Sequence, residues 1–259
     1  MTTTLSFLKH PRLLILGEDI MALKQVNDLI TINVPTKEPG FNLNDRTWTK
    51  SSDYTHWKAG ALYCAVRDTT LQTLDDAVEF RHASNGADNS NNYQHTRTLI
   101  GYATDGRAGL RAFLWEPSLD QLKELAKHPQ IDDSYLQISA KDVLAKQFKK
   151  GSTFLVPAQN LELSVAPNAE GESAYSSNDI VKLLIPNHAK DNAAYIGKRH
   201  KNGLVWFDRP NLPKGEMRVR PVGLGGIDDC NYIYNVNANG GFDYNGLARG
   251  VASGQKNSL

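Results

Sequence analysis

The stretch TLIGYATDGRAGLRAFLWEPSLDQLKELAKHP, residues 98–129, constrains the fold more than any other part of the chain. Two apolar runs flank Asp105-Gly106, a dipeptide that suits a tight hairpin turn. A helix pattern follows, with Ser118 as N-cap, Leu119, Leu122, Leu125 and Ala126 on one face, and Pro129 beyond its end. SYLQIS then reads as a strand. SAKDVLAKQFKKG reads as a second helix, with Ser139 at its start, Val143, Leu144 and Phe148 inward, Lys149 and Lys150 in the last turn, and Gly151 as the stop. STFLVPAQNLELSVA adds further strand and SNDIVKLLIP a short helix. Strands mixed with short capped helices predict an α+β fold around a mixed sheet.

The flanks are less regular. RLLILGEDIMALKQVNDLITINVP predicts a strand, a helix with Ile20, Leu23, Val26 and Leu29 or Ile30 on its apolar face, and a strand ended by Pro35. Residues 36–58 show no clean period and are expected to be irregular. GALYCAVRDTT predicts a buried strand holding Cys64, and TLQTLDDAVEFRHAS a helix. NGADNSNNYQH is polar and loop-like, and is the natural internal boundary. The expected division is an N-terminal segment 1–90, an α+β module 97–186 and a C-terminal strand-loop region 187–259.

The chain has 259 residues, enough for a substantial core. Its formal net charge is +1 with 22% charged residues, so no global field draws it to nucleic acid or membrane. No stretch approaches the ~20 apolar residues needed to cross a bilayer, and Lys9, His10, Pro11 and Arg12 interrupt any signal-like run. The expectation is a soluble protein made in a cytoplasm, with a virion location left open. Cys64 and Cys230 are too few for a disulfide framework.

Motifs for catalysis are absent: no His-Glu-x-x-His, Gly-x-Ser-x-Gly, phosphate loop or Cys-x-x-Cys occurs. Glu79 and His82 form Glu-x-x-His on a helix, but a di-iron bundle needs a second copy and two more Glu. Cys64, His56 and Asp68 offer the residue types of a nucleophile set without any spacing that joins them. Catalytic residues, metal and cofactor are therefore all expected to be none. Between residues 190 and 220, Lys198, Arg199, Lys201, Arg218 and Arg220 are interleaved with Tyr195, Trp206 and Phe207. Cations among aromatics suit backbone tracking and base stacking, so nucleic-acid binding is one reading and a solvated face is the other.

The tail, NYIYNVNANGGFDYNG at residues 231–246, is the most informative part for function. Asn235, Asn237 and Asn239 alternate ahead of Gly240, yet a calcium loop would need carboxylates there and a Glu where Gly246 stands. Lys, Glu, Gln, Met and Trp are all missing from residues 218–254. Turn-rich composition excludes long side chains, which is one cause. A genetic cause also fits: every residue type in 227–246 arises by replacing adenines in the Asn codons AAC and AAT.

With RVRPVGLGG leading in and GLARGVASG ending it, this tail resembles the variable region of retroelement-diversified C-type-lectin-like proteins of the phage receptor-binding type. NGLVWFDRP is similar to the Gly-x-Val-Trp-Glu-Trp core segment of that fold, with Phe207-Asp208 in place of Glu-Trp. The resemblance covers residues 203–252 and implies a lectin-like ending that displays a variable surface. GLRAFLWEPSLDQLKEL and YLQISAKDVLAKQFKKGSTFLVPAQNLELS weakly resemble the N-terminal domain of the SseB-like family, across residues 97–186. That likeness implies an α+β interaction module without catalysis.

The leading expectation is non-enzymatic recognition of a protein or glycan partner, as a receptor-binding or accessory protein of a phage or mobile element. The contact set would be Asp228, Asp229, Asn231, Tyr232, Tyr234, Asn235, Asn237, Asn239, Phe242, Asp243, Tyr244 and Asn245. Tyrosine and phenylalanine supply stiff contact area, and Asn and Asp supply adaptable hydrogen bonds. An SseB-like interaction or immunity module and a nucleic-acid binder are the alternatives. The oligomeric state stays open.

Overall fold

The computed structural model describes residues 4–8, 13–16, 24–26, 29–33, 40–44, 46–104, 109–122, 136–137, 153–213, 216–227, 234–238, 241–242 and 244–252. Strands β1 (Thr4–Leu8), β2 (Leu13–Leu16), β3 (Lys24–Val26) and β4 (Leu29–Asn33) make an antiparallel sheet in the order β2-β1-β4-β3. The end of the helix expected here is thus replaced by a strand pair whose register sets Val26 opposite Leu29, while Ile20 and Leu23 lie outside the described residues. Branched Ile30, Thr31 and Ile32 favour the extended backbone, and their apolar spacing had mimicked a helical stripe.

The segment expected to be irregular carries β5 (Phe41–Leu43), β6 (Arg46–Trp48) and β7 (Thr55–His56). GALYCAV is not a strand; it lies within helix α1 (Trp57–Ala65). Three alanines favour that helix, and Trp57, Ala61 and Cys64 recur at helical spacing on its buried side. Cys64 is buried as expected, and burial pushes its thiol up to about 12, so it is no nucleophile. Strand β8 (Thr70–Leu71) leads to helix α2 (Leu74–Ala83). Its N-terminus closes a reciprocal cap: the Asp76 backbone N–H donates to Thr73 Oγ1 at 3.0 Å, and the Thr73 N–H donates to Asp76 Oδ2 at 2.8 Å. Thr73→Ala should lower the stability measured by urea unfolding by about 1 kcal/mol.

The main sheet is built from β9 (Gln94–Thr104), β10 (Leu110–Trp115), β11 (Leu136–Gln137), β12 (Thr153–Leu155), β13 (Leu161–Ser164), β14 (Asn202–Phe207), β15 (Met217–Leu224) and β16 (Tyr234–Ala238). Its order is β12-β10-β9-β15-β16-β14-β13, with β11 also on β15. The hairpin of β9 and β10 forms as the sequence predicts, pairing Thr104 with Leu110; Asp105-Gly106 lies outside the described residues. The Ser118 cap also forms, with Gln121 N–H on Ser118 Oγ and Leu122 buried; the second predicted helix, 139–150, lies outside them. Only β14 and β16 run parallel among the described pairs, so the sheet is mixed and the class is α+β.

Helices α3 (Ala174–Ser177), α4 (Asp179–Leu184) and α5 (Ala189–Gly197) cover one face together with α2. The core there joins Leu74, Val78, Tyr175, Val181 and Ile196 to Ile100, Val205, Val222, Leu224 and Val236. A second cluster joins Trp57, Cys64, Leu71, Leu99, Phe113 and Val219 to Phe242 and Ala248.

This sheet draws strands from both 97–186 and 187–259. The polar stretch 85–92 is no boundary. Arg81 donates to the carbonyl oxygens of Ser90, Asn92 and Gly225, fixing that stretch against the start of the tail.

The last described strands close the molecule. Strand β17 (Asn245–Gly246) pairs with β7, and β18 (Gly250–Val251) pairs with both β6 and β8. Residues 245–251 are thereby woven through elements almost two hundred positions earlier.

Candidate recognition surface

Pairing of β17 with β7 sets Asn245 opposite His56 and Gly246 opposite Thr55. Directly paired residues share a face, and residues two apart along a strand do too. Asn245 and His56 therefore belong to one side of the ladder, and both are exposed, as is Tyr54 in the bend before β7. Thr55 and Gly246 belong to the other side, where the core begins.

That inner side is tightly filled. His95 is 1% exposed, and its Nε2 lies 2.7 Å from the Thr55 carbonyl oxygen. A Cβ on Gly246 would stand 2.6 Å from Tyr93 Cδ1 and 3.0 Å from His95 Nε2, so only glycine fits there. Gly223 on β15 meets the other end of the same Tyr93 ring, again too closely for a side chain. Tyr93, held in this slot, presents its ring to Tyr244 with centroids 5.2 Å apart, while Tyr244 itself is 55% exposed. Burial holds the Tyr93 hydroxyl above its ordinary range and pushes His95 down to about 4.

A charged clamp holds the tail immediately after the ladder. Arg249 is fully buried, donates to Asp88 Oδ2 at 2.7 Å, to the Asp88 carbonyl at 2.8 Å and to Gln94 Oε1 at 2.9 Å, and lies 3.8 Å from the Phe80 ring centroid. Gln94 also accepts from Gln72 Nε2 at 2.9 Å. Backbone bonds reinforce the clamp, with Ser52 and Ala248 bonded in both directions and the Gln72 N–H donating to the Arg249 carbonyl.

Of the expected contact residues, Tyr244 and Asn245 stand exposed. Phe242 does not: it is 2% exposed and meets the Trp57 ring edge-on at 5.0 Å, because an apolar ring at that point gains more from the core beside α1 than from water. Asn237 is half-buried in β16 beside Trp206, and Tyr234 and Asn235 open that strand. Asp228, Asp229, Asn231, Tyr232, Asn239 and Asp243 lie outside the described residues.

The basic set divides. Lys198, Arg199 and Lys201 are exposed after α5, with Lys198 Nζ and Arg199 Cζ 5.7 and 5.3 Å from the Tyr195 ring centroid. Arg220 is instead buried on β15 and paired with Asp208 at 3.2 Å, and Arg218 is half-buried. A buried, paired guanidinium is not offered to a phosphate, so the expected five-residue surface is reduced at Arg220. Glu79 likewise serves α2 packing, accepting from Arg46 at 2.6 Å and Asn44 at 2.9 Å, while His82 is exposed beside Tyr195.

Four residues in and behind this site are not assigned to it by the sequence reading: Tyr54, His56, Tyr93 and His95. Two lie in the stretch without periodicity and two at the end of the polar loop. The pair of glycines and the unusual aromatic content are the available signals, and neither points to the partner strand.

No protein-family model matches the chain, and no curated protein matches it in sequence. A solved structure does match in shape: a Nanoarchaeota protein described as accommodating massive sequence variation by the C-type lectin fold, with TM-score 0.55 and 11% identity, over 81% of this chain and 98% of that one. The fold is C-type-lectin-like. The lectin-like architecture agrees with the fold implied by the tail's resemblance, and among the described residues no helix is long and apolar enough to cross a membrane.

Proposed function

We propose that this is a non-enzymatic recognition protein that binds a protein or glycan partner through its C-terminal Asn/Tyr/Gly-rich surface, as a receptor-binding or accessory protein of a phage or mobile element. The observation that carries the reading is the contrast within the tail. Tyr244 and Asn245 face solvent, whereas Phe242, Leu247, Ala248, Arg249 and Val251 are packed among core and buried polar groups. A display segment held at its end by an anchor is what a lectin-like recognition surface requires. Asp228, Asp229, Asn231, Tyr232, Tyr234, Asn235, Asn237, Asn239 and Asp243 are the further contact residues of this reading.

The Nanoarchaeota neighbour is a C-type lectin fold that accommodates massive sequence variation. We extend that idea to the adenine-reachable codons 227–246. Deep sequencing of the gene's 3′ end across its source population tests the extension. Substitutions should concentrate at adenines within those codons and spare Phe242, whose ring fills the core. An invariant tail overturns the diversified reading.

A further inference from the structure

We infer that His95 is an acid-sensitive latch beneath the display segment: when its imidazole takes up a proton, Thr55 and Gly246 lift from the ring and residues 244–246 open while the core stays folded. The surface that carries Tyr244 is then assembled at neutral pH and released in acid. The inference rests on the recognition role proposed above and adds a means of regulating it.

His95 stands where β7, β17, α1 and the main sheet meet. It belongs to β9, lies opposite Gly223 of β15 and is 1% exposed. Its Nε2 is 2.7 Å from the Thr55 carbonyl oxygen of β7. A Cβ on Gly246 of β17 would come within 3.0 Å of the same nitrogen, and one on Gly60 of α1 within 3.7 Å of Cδ2. Both strands of the short ladder thus rest on one edge of the ring. Aromatic contacts carry its position outward: His95 meets Tyr93 edge-on with centroids 5.7 Å apart, and Tyr93 meets Tyr244 at 5.2 Å.

The chemistry of the ring makes this joint sensitive to protons. A carbonyl oxygen only accepts, so Nε2 carries the hydrogen in the neutral form. A further proton goes on Nδ1 and leaves a cation almost out of reach of water, which burial disfavours. The groups around the ring do not compensate. From β7 comes His56, whose charge opposes a second cation. From α1, Lys58 is the one charged residue, and from β15 Arg220 acts on Tyr93. Only the Thr55 and Tyr244 backbone favours the proton, and burial outweighs both. Once Gly246 lifts, water reaches the ring and the imidazole binds a proton with its ordinary affinity.

The opening stays local because the segment is anchored on both sides. Phe242 is packed on Trp57, and Leu247 is buried, its N–H on the Tyr93 carbonyl at 3.1 Å and its carbonyl on the His95 N–H at 2.8 Å. Ala248 and Arg249 follow at once, held by Ser52, Asp88 and Gln94. Between these anchors, the described ties are the two-residue ladder and the Tyr244 ring contact. A stretch so lightly tied opens at a lower free energy than the sheet beneath it.

Amide hydrogen exchange of the full-length protein at pH 7.5 and pH 5, each rate divided by the intrinsic rate at that pH, tests the latch. The protected amides among Thr55, His56, Asn245 and Gly246 should lose about 30-fold in protection, the ratio that follows from a proton bound near 6.5 in the open form and about 4 in the closed one. At pH 5 their exchange should be indifferent to low concentrations of urea, whereas that of Ile100 and Val219 in the sheet should quicken with it. His95→Gln should hold the ladder amides level between the two pH values, and His56→Gln should keep the loss. Ladder amides that follow urea as the sheet amides do open only with the whole molecule, which overturns the latch. A flat ladder in the wild type, a loss that persists in His95→Gln or one that vanishes in His56→Gln also overturns it. Where His95→Gln fails to fold by circular dichroism, the wild-type pH series decides: a slope of about one logarithmic unit per pH unit between pH 6 and 5 is the uptake of a single proton, and a slope near zero overturns the latch. No partner enters these readouts, so their failure leaves the recognition role standing, while an invariant tail removes the diversified reading and leaves the latch.

Discussion

Arg249→Ala should destabilise the protein by about 3–5 kcal/mol, read as a lower midpoint in urea unfolding with an unchanged slope. The size follows from what remains after the guanidinium is gone. Asp88 keeps its carboxylate at a site that is mostly covered, Gln94 loses one of its partners, and the Phe80 ring loses its stacked neighbour. An uncompensated buried charge costs more than the bridge itself contributed. Arg249→Lys tests the geometry separately. One ammonium cannot reach Asp88 and Gln94 while lying flat on Phe80, so lysine should recover only part of the loss. A change below 1 kcal/mol for Arg249→Ala would show that the tail is held by its backbone bonds alone.

Acidification should cost up to about 3 kcal/mol through His95 alone. Burial is the first cause of its low value; the Thr55 carbonyl opposes it, His56 nearby lowers it further, and a backbone bond with Tyr244 opposes it again. Folded His95 stays neutral down to about 4, whereas the unfolded side chain takes a proton near 6.5. The unfolded state therefore binds the proton first. The contribution is complete above pH 6.5, declines as pH falls, and is gone once pH has passed about 4. His95→Gln keeps a donor for Thr55 and removes the titration. Stability measured from pH 7 to 4 should fall more steeply in the wild type than in that variant. Parallel curves for the two would place the acid sensitivity elsewhere.

Sequence alone carried the parts whose signals are local. The hairpin of β9 and β10, the reciprocal cap at Ser118 and the helix Asp179–Leu184 each depend on residues within a few positions of one another, and each is where the pattern puts it. GALYCAV shows why a short apolar run misleads: seven residues fit either a buried strand or one side of a helix, and only packing against Leu71, Leu99 and Ala248 selects the helix. The N-terminal hairpin was hidden for a related reason, since Val26, Leu29 and Ile30 fall at three- and four-residue intervals in either form.

The recognition surface was half legible. Tyr244 and Asn245 are exposed as the tail's composition suggests, but Phe242 two positions earlier is core. Amide-rich neighbours gave no sign of that inward turn. The pairing of His56 with Asn245 joins residues 189 positions apart, which no periodicity encodes. Arg249 was noticed only as part of an ending, because a lone arginine among small residues reads as surface until Asp88, Gln94 and Phe80 are seen around it.

The wedging of β18 between β6 and β8 has a consequence for how changes upstream of it are tolerated. A shifted reading frame or an early stop anywhere in residues 227–246 also deletes Arg249, Gly250 and Val251, and with them a partner each of Asp88, Leu71 and Trp48. Such products would fail to close their core and would be lost to aggregation or proteolysis. Missense changes at Tyr244 or Asn245 leave that closure untouched. A chain that folds is thus one translated in frame through the whole of residues 227–246.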